Sequence, residues 1–143
     1  MSDLNRALTL LREENHTCVL CCGAVCDTDD RRGIAPLLLR IRQGVSLQGF
    51  SVADRIIGKA AAFLCIYSGV QAVHGCVMSR SAAAMLQAHG ISCTYDVLTE
   101  HIINRKGDGI CPMEETVMEM TDPAEAFAAL WKKYEQFNQE EHK

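Results

Sequence analysis

The sequence predicts a three-layer α-β-α domain built on a mixed sheet. An amphipathic helix is followed at once by two short apolar segments turning at a glycine, the pattern of an antiparallel hairpin. From residue 72 onward strands alternate with helices, which calls for parallel strands joined by crossover helices. Composition is uniform over the 143 residues, enough for one proper core and without a shift that would divide it. One domain over residues 1–138, with a charged tail at 139–143, is therefore expected.

Each element has a local reason. Leu4, Leu8, Leu10 and Leu11 lie among polar neighbours and predict a helix over residues 3–14, and Thr17 to Asp27 reads as two strands around Gly23. The polar run from Asp27 to Gly33 is a loop, and a helix from about Ile34 to Gln43 stops at Gly44. Ser51 followed three residues later by Asp54 has the form of a capping box, so a core helix is expected from Val52 to Tyr67, with Gly58 and Lys59 inside it. A strand at Ala72 to Met78, a helix from Ser81 to His89 closed by Gly90, and a strand at Ser92 to Leu98 follow. Pro112 opens a short helix and Asp122-Pro123 another, the last carrying Ala126, Phe127, Leu130, Trp131 and Tyr134 at helical spacing.

Charge and cysteine usage exclude several classes. A net charge of −4 and scattered basic residues give no footprint for duplex nucleic acid. The amino terminus lacks a signal-peptide apolar core, and the run Ile56 to Tyr67 contains Lys59 and is too short to span a bilayer, so a cytoplasmic protein without membrane partner is expected. In a reducing compartment most of the eight cysteines should be free thiols. The spacing Cys18-x-x-Cys21 invites a zinc or redox reading, but on a strand the two side chains point to opposite faces, and buried structural cysteines account for them better. His74 and Cys76 share one strand face, and there too structural roles are the simpler reading.

The combination of Gly33-Ile34-x-Pro36-Leu37, Gly49-Phe50-Ser51-x-Ala53-Asp54-x-x-x-Gly58-Lys59-Ala60-Ala61, and Ile103-Asn104-Arg105-x-Gly107-x-Gly109-x-Cys111-Pro112-Met113-Glu114 resembles an uncharacterised prokaryotic family with a cytidine-deaminase-like fold. The resemblance spans nearly the whole chain and implies a fold and a pocket rather than a reaction. It also implies a homo-oligomer, since related folds commonly form dimers or tetramers. Zinc-dependent deamination would need H-x-E or C-x-E opening one helix and P-C-x-x-C opening the next. Neither is present, so no metal and no cofactor is expected.

A substitute site is expected from the polar members of these motifs. Asp54, Lys59 and Cys111 are the candidate catalytic groups, with Ser51, Gly58, Asn104, Arg105, Gly107, Gly109, Glu114, Ser79 and Ser81 as candidate ligand-binding residues. On one helix Asp54 and Lys59 would stand about 140° apart and reach a pocket from its two sides. Lys59 is either paired and charged or desolvated enough for base or imine chemistry. Gly58 inside a helix implies close approach of a ligand or another backbone. Cys111, in the N-cap position before Pro112, is either a thiolate favoured by the helix dipole or, with Glu114, a plain cap. Arg105, Lys106, Gly107 and Gly109 read either as a cradle for phosphate or carboxylate or as a solvated turn. Ser79-Arg80-Ser81 at a helix start suits an anion. Two functions follow: a small-molecule site for a nucleotide, nucleoside or ADP-ribose-like ligand, with or without zinc-free chemistry, or a regulatory or interaction module without catalysis.

Overall fold

Among the described residues five strands form one sheet in the order β2-β1-β3-β4-β5: β1 (Cys18–Cys22), β2 (Val25–Asp29), β3 (Ser51–Ile57), β4 (Ala72–Ser79) and β5 (Ser92–Thr99). The computed structural model describes residues 2–104 and 106–141. β1 runs antiparallel to both β2 and β3, whereas β3, β4 and β5 are parallel. The hairpin turns on Gly23, whose φ of 57° is the left-handed value that a two-residue β-turn needs at its first position. Among the described residues there are also six helices: α1 (Asp3–Glu14), α2 (Ala35–Arg42), α3 (Lys59–Ser68), α4 (Arg80–Ala88), α5 (Pro112–Val117) and α6 (Pro123–Glu141).

One expectation is overturned. Residues 51–57 are a central strand, not the first half of a helix, and α3 starts only at Lys59 with Gly58 as its N-cap. The capping-box pattern of Ser51 and Asp54 is coincidental: Ser51 opens the strand and Asp54 lies in its middle. Val52, Ile56 and Ile57 are β-branched and favour strand backbone, and pairing with β1 on one side and β4 on the other supplies ladder partners that a helix would have to find internally. The geometry of Asp54 and Lys59 on one helix therefore does not exist. Two smaller differences follow: α6 continues through Glu141 where a loose tail was expected from residue 139, and Cys21 is bonded to Cys26 across the hairpin. The hairpin register sets these two cysteines directly opposite each other with Cα atoms 4.2 Å apart, which is why a pair expected to be free is joined.

The sheet divides two cores. On one face α1 alone packs Ala7 and Leu11 against Val19, Cys21 and Ala53. On the other, α3 is the central helix: Ala60 to Cys65 are all buried, and α2, α4, α5 and α6 pack around it with Leu38, Leu86, Val117 and Leu130. Cys18 and Cys21 do face opposite cores. Asp29 at the outer edge is buried and gripped by Arg31 and Arg40, each at 2.6 Å, which ties β2 to α2. Burial raises the Asp29 carboxyl, but the two guanidinium groups outweigh it and hold the acid well below the ordinary range.

Candidate functional site

The parallel strands β3, β4 and β5 all end on one edge of the sheet, where α3 and α4 begin, and open α/β sheets bind ligands at such an edge. A cleft of about 290 Å³ lies there. Its lining mixes the polar Lys59, Ser79, Arg80, Ser81, Glu100, His101 and Glu114 with the apolar Ile102, Ile110 and Met118. A larger hollow on the outer side of α1, bordered by Asn5 and Glu13, is bounded by one helix and gathers no strand ends.

Two helix N-termini meet the cleft and are treated differently. Glu114 reaches from α5 and accepts from the backbone N–H groups of Lys59 and Ala60, both at 2.7 Å, so its carboxylate fills the positive end of α3. That contact explains Gly58. Its φ of −101° suits any residue, but a Cβ there would lie 2.1 Å from Glu114 Oε1 and 2.8 Å from Ile102 Cγ1. At α4 the cap is local: Ser79 Oγ accepts from the Ala82 N–H at 3.2 Å and lies 3.3 Å from Ser81 Oγ. Arg80 pairs at the rim with Glu100 at 2.5 Å, and Lys59 Nζ donates to the Met118 carbonyl at 2.8 Å while standing 5.6 Å from the Phe63 ring centroid.

Of the residues singled out in the sequence, Lys59, Ser79, Ser81 and Glu114 line this cleft, with the Gly58 backbone behind them. Ser51 lies at the other end of β3. Asp54 is buried beneath α3, accepts from the Ile56 N–H at 3.1 Å and faces Cys18 and Cys65. Burial pushes its carboxyl up to about 7, and the Ile56 amide and Cys18 thiol oppose that rise. Cys111 precedes α5 without a side-chain cap bond, its N–H donating to the Ile102 carbonyl. Asn104 folds its own loop: its Nδ2 donates to Asp108 Oδ1 at 2.9 Å and its Oδ1 accepts from the Asp108 N–H. Gly107 adopts φ 75° there, and Gly109 lies next to the Asn104 amide. Arg105 lies outside the described residues. Asp54, Asn104 and Cys111 are thus not brought to the wall formed by Lys59 and Glu114. Glu100 was missed, and His101, standing alone in the sequence, reads there as a structural histidine; both directly follow β5, and their position just after a predicted strand end was the available signal.

No helix among the described residues is long and apolar enough to cross a membrane. No curated protein matches the chain. Among solved structures it is similar to a DUF1893 family protein from Thermotoga maritima, with 26% identity, a TM-score of 0.84, and coverage of 93% of this chain and 91% of that one. The family model described as Domain of unknown function (DUF1893) matches residues 6–134, and the chain belongs to that family.

Proposed function

We propose that the protein binds a small molecule of the nucleotide or nucleoside class in the cleft at the ends of β3, β4 and β5. The observation that carries this reading is the mixed lining: Lys59 and the Ser79-Arg80-Ser81 start of α4, balanced by Glu100 and Glu114, together with the apolar Ile102, Ile110 and Met118. A phosphate belongs beside the Ser79-Arg80-Ser81 helix start and Lys59, where it competes with Glu100 for Arg80, and a ribose or base against Ile102, Ile110 and Met118. A volume of about 290 Å³ stands at the small end of ligand sites, which favours a mononucleotide or nucleoside over a dinucleotide. The resemblance to a cytidine-deaminase-like fold supports the same ligand class. A second reading, an interaction module without a ligand, draws on Glu114, which already supplies a carboxylate to the α3 amides.

Thermal melting with a panel of nucleoside mono-, di- and triphosphates and free nucleosides separates the two. Binding predicts a concentration-dependent rise in Tm, about 2.7 kcal/mol of added stability at a hundredfold excess over Kd, which Lys59→Ala and Arg80→Ala both reduce. An unchanged Tm across the panel at millimolar ligand would favour the interaction module.

A further inference from the structure

On the sheet face covered by α1, opposite the face on which α3 and α4 pack, three donors of different chemistry converge. His74 and Cys76 alternate onto one face of β4, and the register that pairs His74 with Thr94 places Asp96 of β5 on that face as well. One ligating atom from each of His74, Cys76 and Asp96 lies within 4.8 Å of the other two. His74 is only 4% exposed, and its Nε2 is buried without a hydrogen-bond partner among the described residues. That nitrogen faces the group: Asp96 Oδ1 is 3.5 Å from it, too long for a well-formed hydrogen bond. An orphaned imidazole nitrogen in a buried position calls for an explanation.

We propose that His74 Nε2, Cys76 Sγ and Asp96 Oδ1 form a site for a divalent ion of the zinc class. A nitrogen, a thiolate and a carboxylate suit a borderline ion, and neither calcium nor magnesium selects sulfur. Tetrahedral bonds of about 2.0–2.3 Å put neighbouring donors about 3.3–3.8 Å apart, so the His74–Asp96 spacing already fits, and Cys76 Sγ, within 4.8 Å of both, moves inward to complete the set. The outer partners are in place. Thr94 Oγ1 lies 2.7 Å from His74 Nδ1, where accepting the Nδ1–H would leave the Nε2 lone pair free for the ion. Arg12 of α1 donates to both Asp96 oxygens at 3.0 Å, and on metal binding it can keep Oδ2 while Oδ1 turns to the ion. The Cys76 thiol is held protonated by burial and by the Asp96 charge, so binding converts it to thiolate and releases one proton. Three protein donors leave a fourth position, and the half-exposed Asp96 side directs it to water or an added ligand. The absent deaminase motifs do not bear on this site, which uses a different sheet face.

Cobalt(II) titration of the full-length chain, with a non-thiol reductant, tests the site. The expected result is saturation at one equivalent with a thiolate-to-cobalt charge-transfer band, bleached by added zinc(II). Cys76→Ser should remove that band, and Asp96→Asn, at a half-exposed position tolerant of the change, should keep it while weakening binding at least tenfold. Thr94→Val should weaken binding 10–100-fold through the lost imidazole partner. Lys59→Ala should leave the titration unchanged, which keeps the result independent of the cleft. A band that persists in Cys76→Ser, or a wild-type protein that shows no saturable band, would overturn the assignment.

Discussion

At the residue scale, Asp54 shows how one buried acid governs pH dependence. Its carboxyl titrates at about 7 in the folded chain against 3.8 when free, because burial beneath α3 penalises the charge more than the Ile56 amide and Cys18 thiol favour it. An acid with a raised folded pKa holds its proton more tightly when folded. The stability this confers is fully present below about pH 4 and is lost as pH rises through about 7. The difference is on the order of 4 kcal/mol once the group is ionised. Asp54→Asn should therefore flatten the decline in stability between pH 4 and 8, measured by denaturant unfolding at each pH against the parent chain. A decline of equal size in both proteins would place the titration elsewhere. The role of Asp54 was misread from sequence because Ser51-x-x-Asp54 has the spacing of a helix cap. Nothing local shows that two neighbouring strands will claim this backbone.

At the element scale, the start of α3 depends on a side chain 55 residues away. Gly58 opens the space, Glu114 fills it, and the carboxylate satisfies two amides that would otherwise face the cleft. Gly58→Ala places a methyl group on that carboxylate and on Ile102, so the carboxylate must leave or the helix start must shift. The expected loss is about 1–3 kcal/mol, read as a lower urea midpoint at unchanged m-value. Gly58→Ala combined with Glu114→Ala should recover part of it, since the crowding atom is gone; no recovery would assign the cost to Ile102. The order of the elements was otherwise legible. Hairpin glycine, helix-stopping glycines and period-two strands each predict their element locally, and α2, β4, α4, β5 and α5 lie close to where the sequence puts them. The cleft was legible only in part. Lys59, Ser79, Ser81 and Glu114 could be named as polar motif members, but which of them meet depends on sheet register and on the packing of α5 against α3, and neither leaves a local mark.

At the scale of the whole molecule, the sheet separates two apolar layers of unequal thickness. α1 is the one helix on its face among the described residues, and Leu11 there shares no core with Leu86, which lies on the far side among α3 and α4. Both side chains are essentially fully buried. Leu11→Val and Leu86→Val each remove one methylene and introduce β-branching in a helix, for a loss of about 1–1.5 kcal/mol apiece. If the sheet transmits no strain between the layers, the double variant should lose the sum of the single losses within about 0.5 kcal/mol, measured by urea unfolding. A larger discrepancy would mean that the layers communicate through β1 and β3, the strands on which both cores rest. Such coupling would also connect the α1 face, which carries Arg12, Asp96 and His74, to the cleft at the ends of β3, β4 and β5. Independent layers predict that metal binding at one face leaves nucleotide stabilisation at the other unchanged, and coupled layers predict that each ligand alters the affinity for the other by the same factor.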